Sequence, residues 1–202
     1  MSVSIVIATY GDEGWSELAW SRAYPSALGQ TDDIVVYHDR DGTLASVRNR
    51  GAAIARGQWL VYLDASDELC ADYVDEMNSE LDELGPGDWM LAPALGRPGK
   101  LPAIPNAGKW PRTSECCIGT MIPRALFRGL GGFRERSDDG TPLTMYEDWD
   151  VFLRLWDAGA QLVHVPQAVY CAHGEQRNVA GNWQSVYDAI WADHEKRVAV
   201  PA

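Results

Sequence analysis

Two carboxylates, Asp64 and Asp67, follow a short apolar run in the segment WLVYLDASDEL, which spans residues 59–69. The run is too short for a stand-alone helix and rich in β-forming side chains, so it predicts a buried strand. Ligands of open α/β sheets bind at the carboxyl ends of strands. Carboxylate oxygens there suit a hard cation such as Mg²⁺ or Mn²⁺, which in turn suits a phosphate group. Asp67 is equally suited to be the N-cap of a following helix, and this segment alone leaves both interpretations open.

The elements around this strand alternate between β and α. Apolar runs predict strands at 3–8 and 33–37, with a helical segment at 13–28 between them. Thr43 predicts the cap of a helix that ends near Gly57, and apolar residues at helical spacing predict another helix at 74–84. A strand at 89–92 follows, and the alternation is typical of an α/β fold.

The pattern changes after residue 92. Five prolines and three glycines between residues 93 and 111 predict a long loop. Beyond it we expect a strand at 116–122, a short helix starting at Pro123 and a turn at 129–135. A helix is expected at 147–158, with Val151, Phe152, Leu155 and Trp156 facing inward. Short strands at 161–165 and 168–172 and a last helix near 183–196 should complete the chain.

Composition narrows the class of protein. A chain of 202 residues fits one domain, and 17 basic against 29 acidic residues give a net charge of −12, which argues against a large nucleic-acid-binding surface. The start has no basic leader and no apolar run reaches a spanning length, so neither a signal peptide nor a transmembrane segment is predicted. Four cysteines without CxxC spacing argue against a zinc site or a disulfide framework and favour reduced thiols in a cytoplasmic protein.

Four blocks, in order, resemble the family-two glycosyltransferases of the GT-A fold: VSIVIATY, LASVRNRGAAIARGQWLVYLDASDEL, GGFRE, and EDWDVFLRLWDAG before a late histidine. The resemblance spans most of the chain. It implies a single GT-A domain over residues 1–202, with a Rossmann-like, mostly parallel sheet flanked by helices. Residues 1–93 would be the nucleotide-sugar-binding half and residues 94–202 a small acceptor-side region with the catalytic base.

The same resemblance implies inverting transfer of a sugar from a nucleotide-diphosphate donor, with a UDP-sugar favoured and Mn²⁺ or Mg²⁺ beside the diphosphate. Similar proteins usually have LDADD, so Asp67 is the expected metal ligand, Asp64 its support, and Ser66 a departure that offers the nucleotide a hydroxyl without charge. His173 falls where similar enzymes place a histidine beside the metal, although a histidine at a strand end is more often structural. Asp148 is the expected general base, which the helix dipole should keep ionised at neutral pH.

Contacts to the donor and the acceptor follow from the same blocks. The residues expected at the nucleotide are Ala8, Thr9, Tyr10, Asp39 (with Asp41 as the alternate), Arg48 and Ser66. Trp149 and Glu147 are expected on the acceptor side, although Trp149 is equally suited to the core. Arg177 has two open roles, a phosphate contact or a solvated arginine. Nothing in the sequence identifies the acceptor.

Two other functions stay open at this level. A non-catalytic nucleotide-sugar-binding module of the same fold is the main alternative, motivated by Ser66 and by the short chain. A nucleotidyltransferase is the second, but that class uses a basic, glycine-rich loop after the first strand, whereas this chain has the acidic segment Gly11-Asp12-Glu13.

Overall fold

The three predicted N-terminal strands lie side by side, as the computed structural model shows. The structure describes residues 1–104, 106–113, 116–173 and 183–199. Its strands are β1 (Val3–Tyr10), β2 (Asp33–Asp39), β3 (Trp59–Tyr62), β4 (Glu68–Leu69), β5 (Trp89–Arg97), β6 (Lys100–Ala103), β7 (Ile122–Pro123) and β8 (Gln161–Cys171).

The helices alternate with these strands through the first half. They are α1 (Glu13–Leu18), a π-helical turn (Ala19–Ala23) that runs into α2 (Tyr24–Ala27), α3 (Leu44–Ile54), α4 (Tyr73–Leu84), a 3₁₀ turn (Ala107–Lys109), α5 (Arg124–Gly129), α6 (Glu147–Asp157) and α7 (Trp183–Ala199). No helix in the described ranges is long and apolar enough to cross a membrane.

Within the described residues the strands form two sheets, ordered β2-β1-β3-β7 and β4-β8-β5-β6. The long pairs, β1 with β2, β1 with β3 and β5 with β8, are parallel, and the short pairs are antiparallel. The expected α/β class, with parallel-rich sheets flanked by helices, is confirmed. β1 is buried from Val3 to Thr9, as a central strand covered on both faces must be.

Helix α3 starts at a capping box and packs closely on this sheet through a glycine. The Thr43 hydroxyl accepts the Ser46 N–H at 3.1 Å, while the Ser46 hydroxyl accepts the Thr43 N–H at 2.8 Å. A Cβ at Gly51 would lie 2.5 Å from Cγ1 of Val6, so the absent side chain is what lets the helix approach β1. The helix ends at Ile54, three residues before the glycine expected to stop it.

The predicted long loop over 93–111 is wrong in its first part. β5 runs to Arg97 and turns back through β6. Pro93 is tolerated inside β5 because its pairing with Val165 lies where the register of β5 and β8 shifts. β5 therefore also runs across the expected boundary at residues 93 and 94, and the two short strands expected at 161–172 are one strand, β8.

Helix α7 closes the C-terminal half by packing on α6. Trp149 is 1% exposed and stacks on Tyr187, with ring centroids 4.8 Å apart, and on Trp191 at 6.3 Å. A buried ion-pair network continues the contact, since Arg134 joins the carboxylates of Asp150 and Asp193. Trp156, expected inward, is 37% exposed because α7 covers a different face of α6.

Candidate active site

A cleft of about 190 Å³ opens at the carboxyl ends of β1 and β3. Five segments form its wall: the end of β1, the start of α1, the N-terminal half of α3, the loop after β3, and the start of α6. The lining residues are Ala8, Thr9, Tyr10, Trp15, Leu44, Arg48, Asp64, Ala65, Ser66 and Glu147.

Most residues that the sequence analysis assigned to the nucleotide line this cleft. Ala8, Thr9, Tyr10, Arg48 and Ser66 do so. The hydroxyl of Thr9 is held by Nδ1 of His38 at 2.9 Å. Asp39 ends β2 beside Tyr10 but is absent from the wall of the cleft.

The carboxylate of Asp39 contacts neighbouring residues of the turn and of α3. Its Oδ2 lies 3.4 Å from Nη1 of Arg50, and its Oδ1 accepts the Asp41 N–H at 3.2 Å. Asp39 therefore belongs to the turn after β2, at the edge of the cleft rather than inside it.

Arg48 lies beneath the cleft and joins two of its acids. Nη2 is 2.8 Å from Oδ1 of Asp64, and Nη1 is 2.6 Å from Oε1 of Glu147. Its guanidinium also stacks over Phe133 at 5.2 Å, and its side chain is only 4% exposed. Burial acts to lower the pKa of Arg48, but the two carboxylates more than offset this and the net shift is upward.

Asp67 is not a helix cap. Helix α4 begins at Tyr73 with Asp72 at its N-cap, and Asp67 instead precedes β4. Its buried carboxylate accepts the Tyr170 hydroxyl at 2.8 Å, the Ser66 hydroxyl at 3.1 Å and the His173 backbone N–H at 3.1 Å. Burial and the negative charge of Asp64 raise the pKa of Asp67 despite these three donors.

His173 is brought to the same place by β8. Its backbone N–H donates to Asp67, while its imidazole Nε2 contacts the carboxylate of Glu68. No group of three or more His, Cys, Asp or Glu side chains in the described part of the chain is placed to hold a metal ion by itself.

The donor chemistry nevertheless fits a hard cation. Mg²⁺ and Mn²⁺ bind through one or two carboxylates and complete their shells with substrate phosphates and water. Asp67 offers such oxygens, and a cation would relieve the repulsion from Asp64 that raises its pKa. Asp67 and the nearby His173 are the residues that would hold it.

Tyr170 is a site residue that the sequence analysis missed. Besides binding Asp67, its hydroxyl accepts the Asp64 N–H at 3.2 Å, so one side chain fixes both acids of the DASD segment. Its ring packs against Gly119, where an added Cβ would lie 2.2 Å from Cδ2 of the ring. A tyrosine in a short apolar strand carries no local signal of this role, because both partners lie about a hundred residues away in sequence.

Asp148 is the second residue of α6 and follows Glu147, which lines the cleft. Glu147 faces the cleft and Arg48, whereas Oδ1 of Asp148 accepts the Trp149 N–H at 2.8 Å. Burial, followed by the negative charge of Glu147, raises the pKa of Asp148 to about 7, although Arg48 acts to lower it. The expectation of a fully ionised carboxylate at neutral pH is therefore wrong, because desolvation and a like charge outweigh the helix dipole.

A second cleft of about 340 Å³ adjoins the first and shares Tyr10, Leu44 and Glu147 with it. Its other lining residues are Gly42, Thr43, Ala45, Glu135, Arg136, Pro142, Leu143 and Thr144. Glu147, expected on the acceptor side, thus lies between the two clefts.

The expectation of an acceptor contact at Trp149 is contradicted. Its ring is buried between Tyr187 and Tyr146, and its Nε1 donates to the carbonyl of Pro111 at 3.1 Å. The apolar face of the ring is used to hold α7, so its role is packing. Arg177 lies outside the described residues. Trp15 and Leu44, which the sequence analysis did not single out, supply the apolar wall of the first cleft.

Comparison with protein-family models gives no match, and comparison with curated protein sequences gives none either. Solved structures do match. S. aureus TarS 1–349 has a TM-score of 0.65 at 15% identity, over 98% of this chain and 71% of that one. The same protein with UDP-GlcNAc gives 0.67 at 13% identity, covering 96% and 66%, and with UDP it gives 0.66 at 14%, covering 96% and 65%.

A longer TarS chain matches over 98% of this chain but only 43% of its own length. This protein shares its α/β fold with TarS. At such low identity the likeness extends to the fold alone.

Proposed function

We propose that this protein transfers a glycosyl group from a nucleotide-diphosphate sugar, a UDP-sugar in preference, to an acceptor hydroxyl. The observation that carries the proposal is the first cleft, which gathers Ala8, Thr9, Tyr10, Arg48 and Ser66 at the strand ends. Support comes from the fold, since the TarS structures that share it were solved with UDP-GlcNAc and with UDP. These are a nucleotide sugar and the diphosphate that remains when the sugar leaves.

In the proposed reaction the acceptor oxygen attacks the anomeric carbon as its proton passes to the Asp148 carboxylate. The bond from that carbon to the diphosphate breaks on the opposite face, so the configuration inverts. A group whose pKa is about 7 suits this proton transfer at neutral pH. Mn²⁺ or Mg²⁺ held by Asp67 would supply Lewis-acid stabilisation of the departing diphosphate.

Arg48 has a different role in this scheme from the one expected for it. Its guanidinium already pairs with Asp64 and Glu147, so little of its charge remains for a phosphate group. We assign it to positioning: it orients Glu147 at the wall of the cleft and lowers the pKa of the neighbouring Asp148.

The alternative is a module of the same fold that binds a nucleotide sugar without transferring it. Ser66 is the feature that favours it, because a serine stands where similar proteins have an acid. Its hydroxyl donates a hydrogen bond to Asp67, but it carries no negative charge that could bind a cation.

One experiment separates the two functions. The protein is incubated with Mn²⁺ and, separately, UDP-, GDP- and dTDP-sugars, while thermal shift and donor hydrolysis are measured. A transferase should hydrolyse its donor slowly, and Asp148→Asn should keep the thermal shift but lose hydrolysis. Asp188→Asn, at an exposed position of α7, is the control and should behave as wild type.

The outcomes that contradict the proposal are distinct. A thermal shift without turnover in the wild type identifies the binding module. Full activity of Asp148→Asn removes the assigned base, and no shift with any of the three donors removes nucleotide-sugar binding itself.

A further inference from the structure

Two cysteines that are far apart in sequence meet beside the acidic loop. The sulfur atoms of Cys70 and Cys171 lie 2.8 Å apart, although 101 residues separate them in the chain. The antiparallel pairing of β4 with β8 brings them together, since Glu68 pairs with Cys171, Leu69 pairs with Tyr170, and the Cys70 N–H donates to the Val169 carbonyl at 3.0 Å. Both thiols are half-buried and thus accessible at their edges.

We propose that Cys70 and Cys171 form a reversible dithiol–disulfide site whose reaction partner is a low-molecular-weight disulfide such as oxidised glutathione. The Cys70 thiolate attacks one sulfur of the small disulfide, which forms a mixed disulfide and releases one thiolate. The Cys171 thiolate then attacks Cys70 Sγ, which closes the protein disulfide and releases the second small thiol. The two electrons and two protons of the dithiol end on the two thiols released.

The exchange is the same whichever sulfur attacks first, because the two thiols lie 2.8 Å apart and both are half-buried. Once the mixed disulfide has formed, the adjacent sulfur needs only a small movement to reach bonding distance.

The position of the pair gives the disulfide a structural effect. Cys70 lies three residues after Asp67, and Cys171 lies two residues before His173. Asp67 and His173 are already joined by one backbone hydrogen bond of 3.1 Å. A disulfide would add a covalent link between their two segments and would close a loop of about a hundred residues, which restricts the unfolded chain.

The test titrates the full-length protein with mixtures of reduced and oxidised glutathione. We expect one transition in which the intact mass falls by two hydrogen atoms. A non-reducing peptide map should place the link between Cys70 and Cys171, and the midpoint of thermal unfolding should rise in the oxidised protein. Each readout is independent of glycosyl transfer, so this inference stands or fails separately from the proposed function.

Variants make the assignment specific. Cys171→Ser should stop at the mixed disulfide, with glutathione retained on Cys70, whereas Cys116→Ser should still form the link. Thermal melts of the reduced variants establish that each is folded. Retention of glutathione on the wild-type protein, a link that involves Cys116 or Cys117, or no reaction over the whole titration would each overturn the proposal.

Discussion

The hydroxyl of Tyr170 donates to Oδ2 of Asp67 at 2.8 Å, across 103 residues of sequence. It is one of three donors to a carboxylate whose pKa is raised by burial and by Asp64. The ionised state of Asp67 depends on these donors, so the second sheet influences the chemistry of the loop after β3.

Replacement of Tyr170 by phenylalanine removes this donor and keeps the ring. We expect the pKa of Asp67 to rise further and the free energy of unfolding to fall by about 1–3 kcal/mol, because a buried acceptor loses a partner. NMR titration of the carboxyl and urea denaturation measure the two effects. Tyr73→Phe is the matched control, since that buried hydroxyl bonds to the Gly119 carbonyl; an equal pKa shift in both variants would contradict the assignment.

Arg48 and Arg50 offer a matched pair on one helix. Arg48→Met leaves two acids without their buried partner and should cost about 3–5 kcal/mol of unfolding free energy. Arg50→Met breaks an exposed contact with Asp39, which water screens, and should cost much less than Arg48→Met. Urea denaturation distinguishes the two, and equal losses would show that the bridge beneath the cleft contributes nothing beyond a surface ion pair.

The pH dependence of the proposed reaction follows from Asp148, the proposed base. A base must be ionised to accept a proton, so a pKa of about 7 predicts a rate that falls as the pH drops below about 7. Glu147→Gln removes the like charge that contributes to the raised pKa and should move the midpoint to lower pH. The pH profile of donor hydrolysis measures this shift. Glu135→Gln, in the second cleft, should leave the midpoint in place; a profile that both variants leave unmoved would rule out the coupling.

Gly119 should be intolerant of any side chain. The Cβ of Gly119→Ala would lie 2.2 Å from Cδ2 of the Tyr170 ring, so the ring or the Gly119 backbone must shift. We expect a loss of stability together with the change in the Asp67 pKa that is expected for Tyr170→Phe. Gly129→Ala, where no atom lies within 4 Å of the added Cβ, should be close to wild type. An unchanged pKa of Asp67 in Gly119→Ala would contradict this prediction, because it would show that the packing of the Tyr170 ring on Gly119 does not affect Asp67.

Local patterns were sufficient to predict the first three strands and α3. β1, β2 and β3 each contain a run of apolar residues, and the Thr43 cap indicates the start of α3, so each could be predicted from neighbouring residues. The position of the cleft could also be predicted, because the parallel strands β1 and β3 end at the same edge of the sheet. β4 could not be predicted, since its two residues are defined only by pairing with β8.

Other features also depend on residues that are distant in sequence. The prolines after residue 92 predict a loop, whereas β5 continues through Pro93 because its pairing with β8 tolerates a missing N–H there. The raised pKa of Asp148 depends first on burial and then on the charge of Glu147, and no spacing in the sequence reports that desolvation. Trp149 and Trp156 were distinguished by α7, which covers one and leaves the other at the surface.

The packing of α7 sets a practical limit on shortening this protein. Trp149 follows Asp148 directly and is held by the rings of Tyr187 and Trp191, while Asp193 completes the ion pairs of Arg134. A truncation that stops after β8 would keep every residue of both clefts, yet it would uncover the Trp149 indole at the start of α6 and remove one carboxylate from Arg134. The smallest fragment that keeps the proposed base in place is therefore decided by residues that line neither cleft.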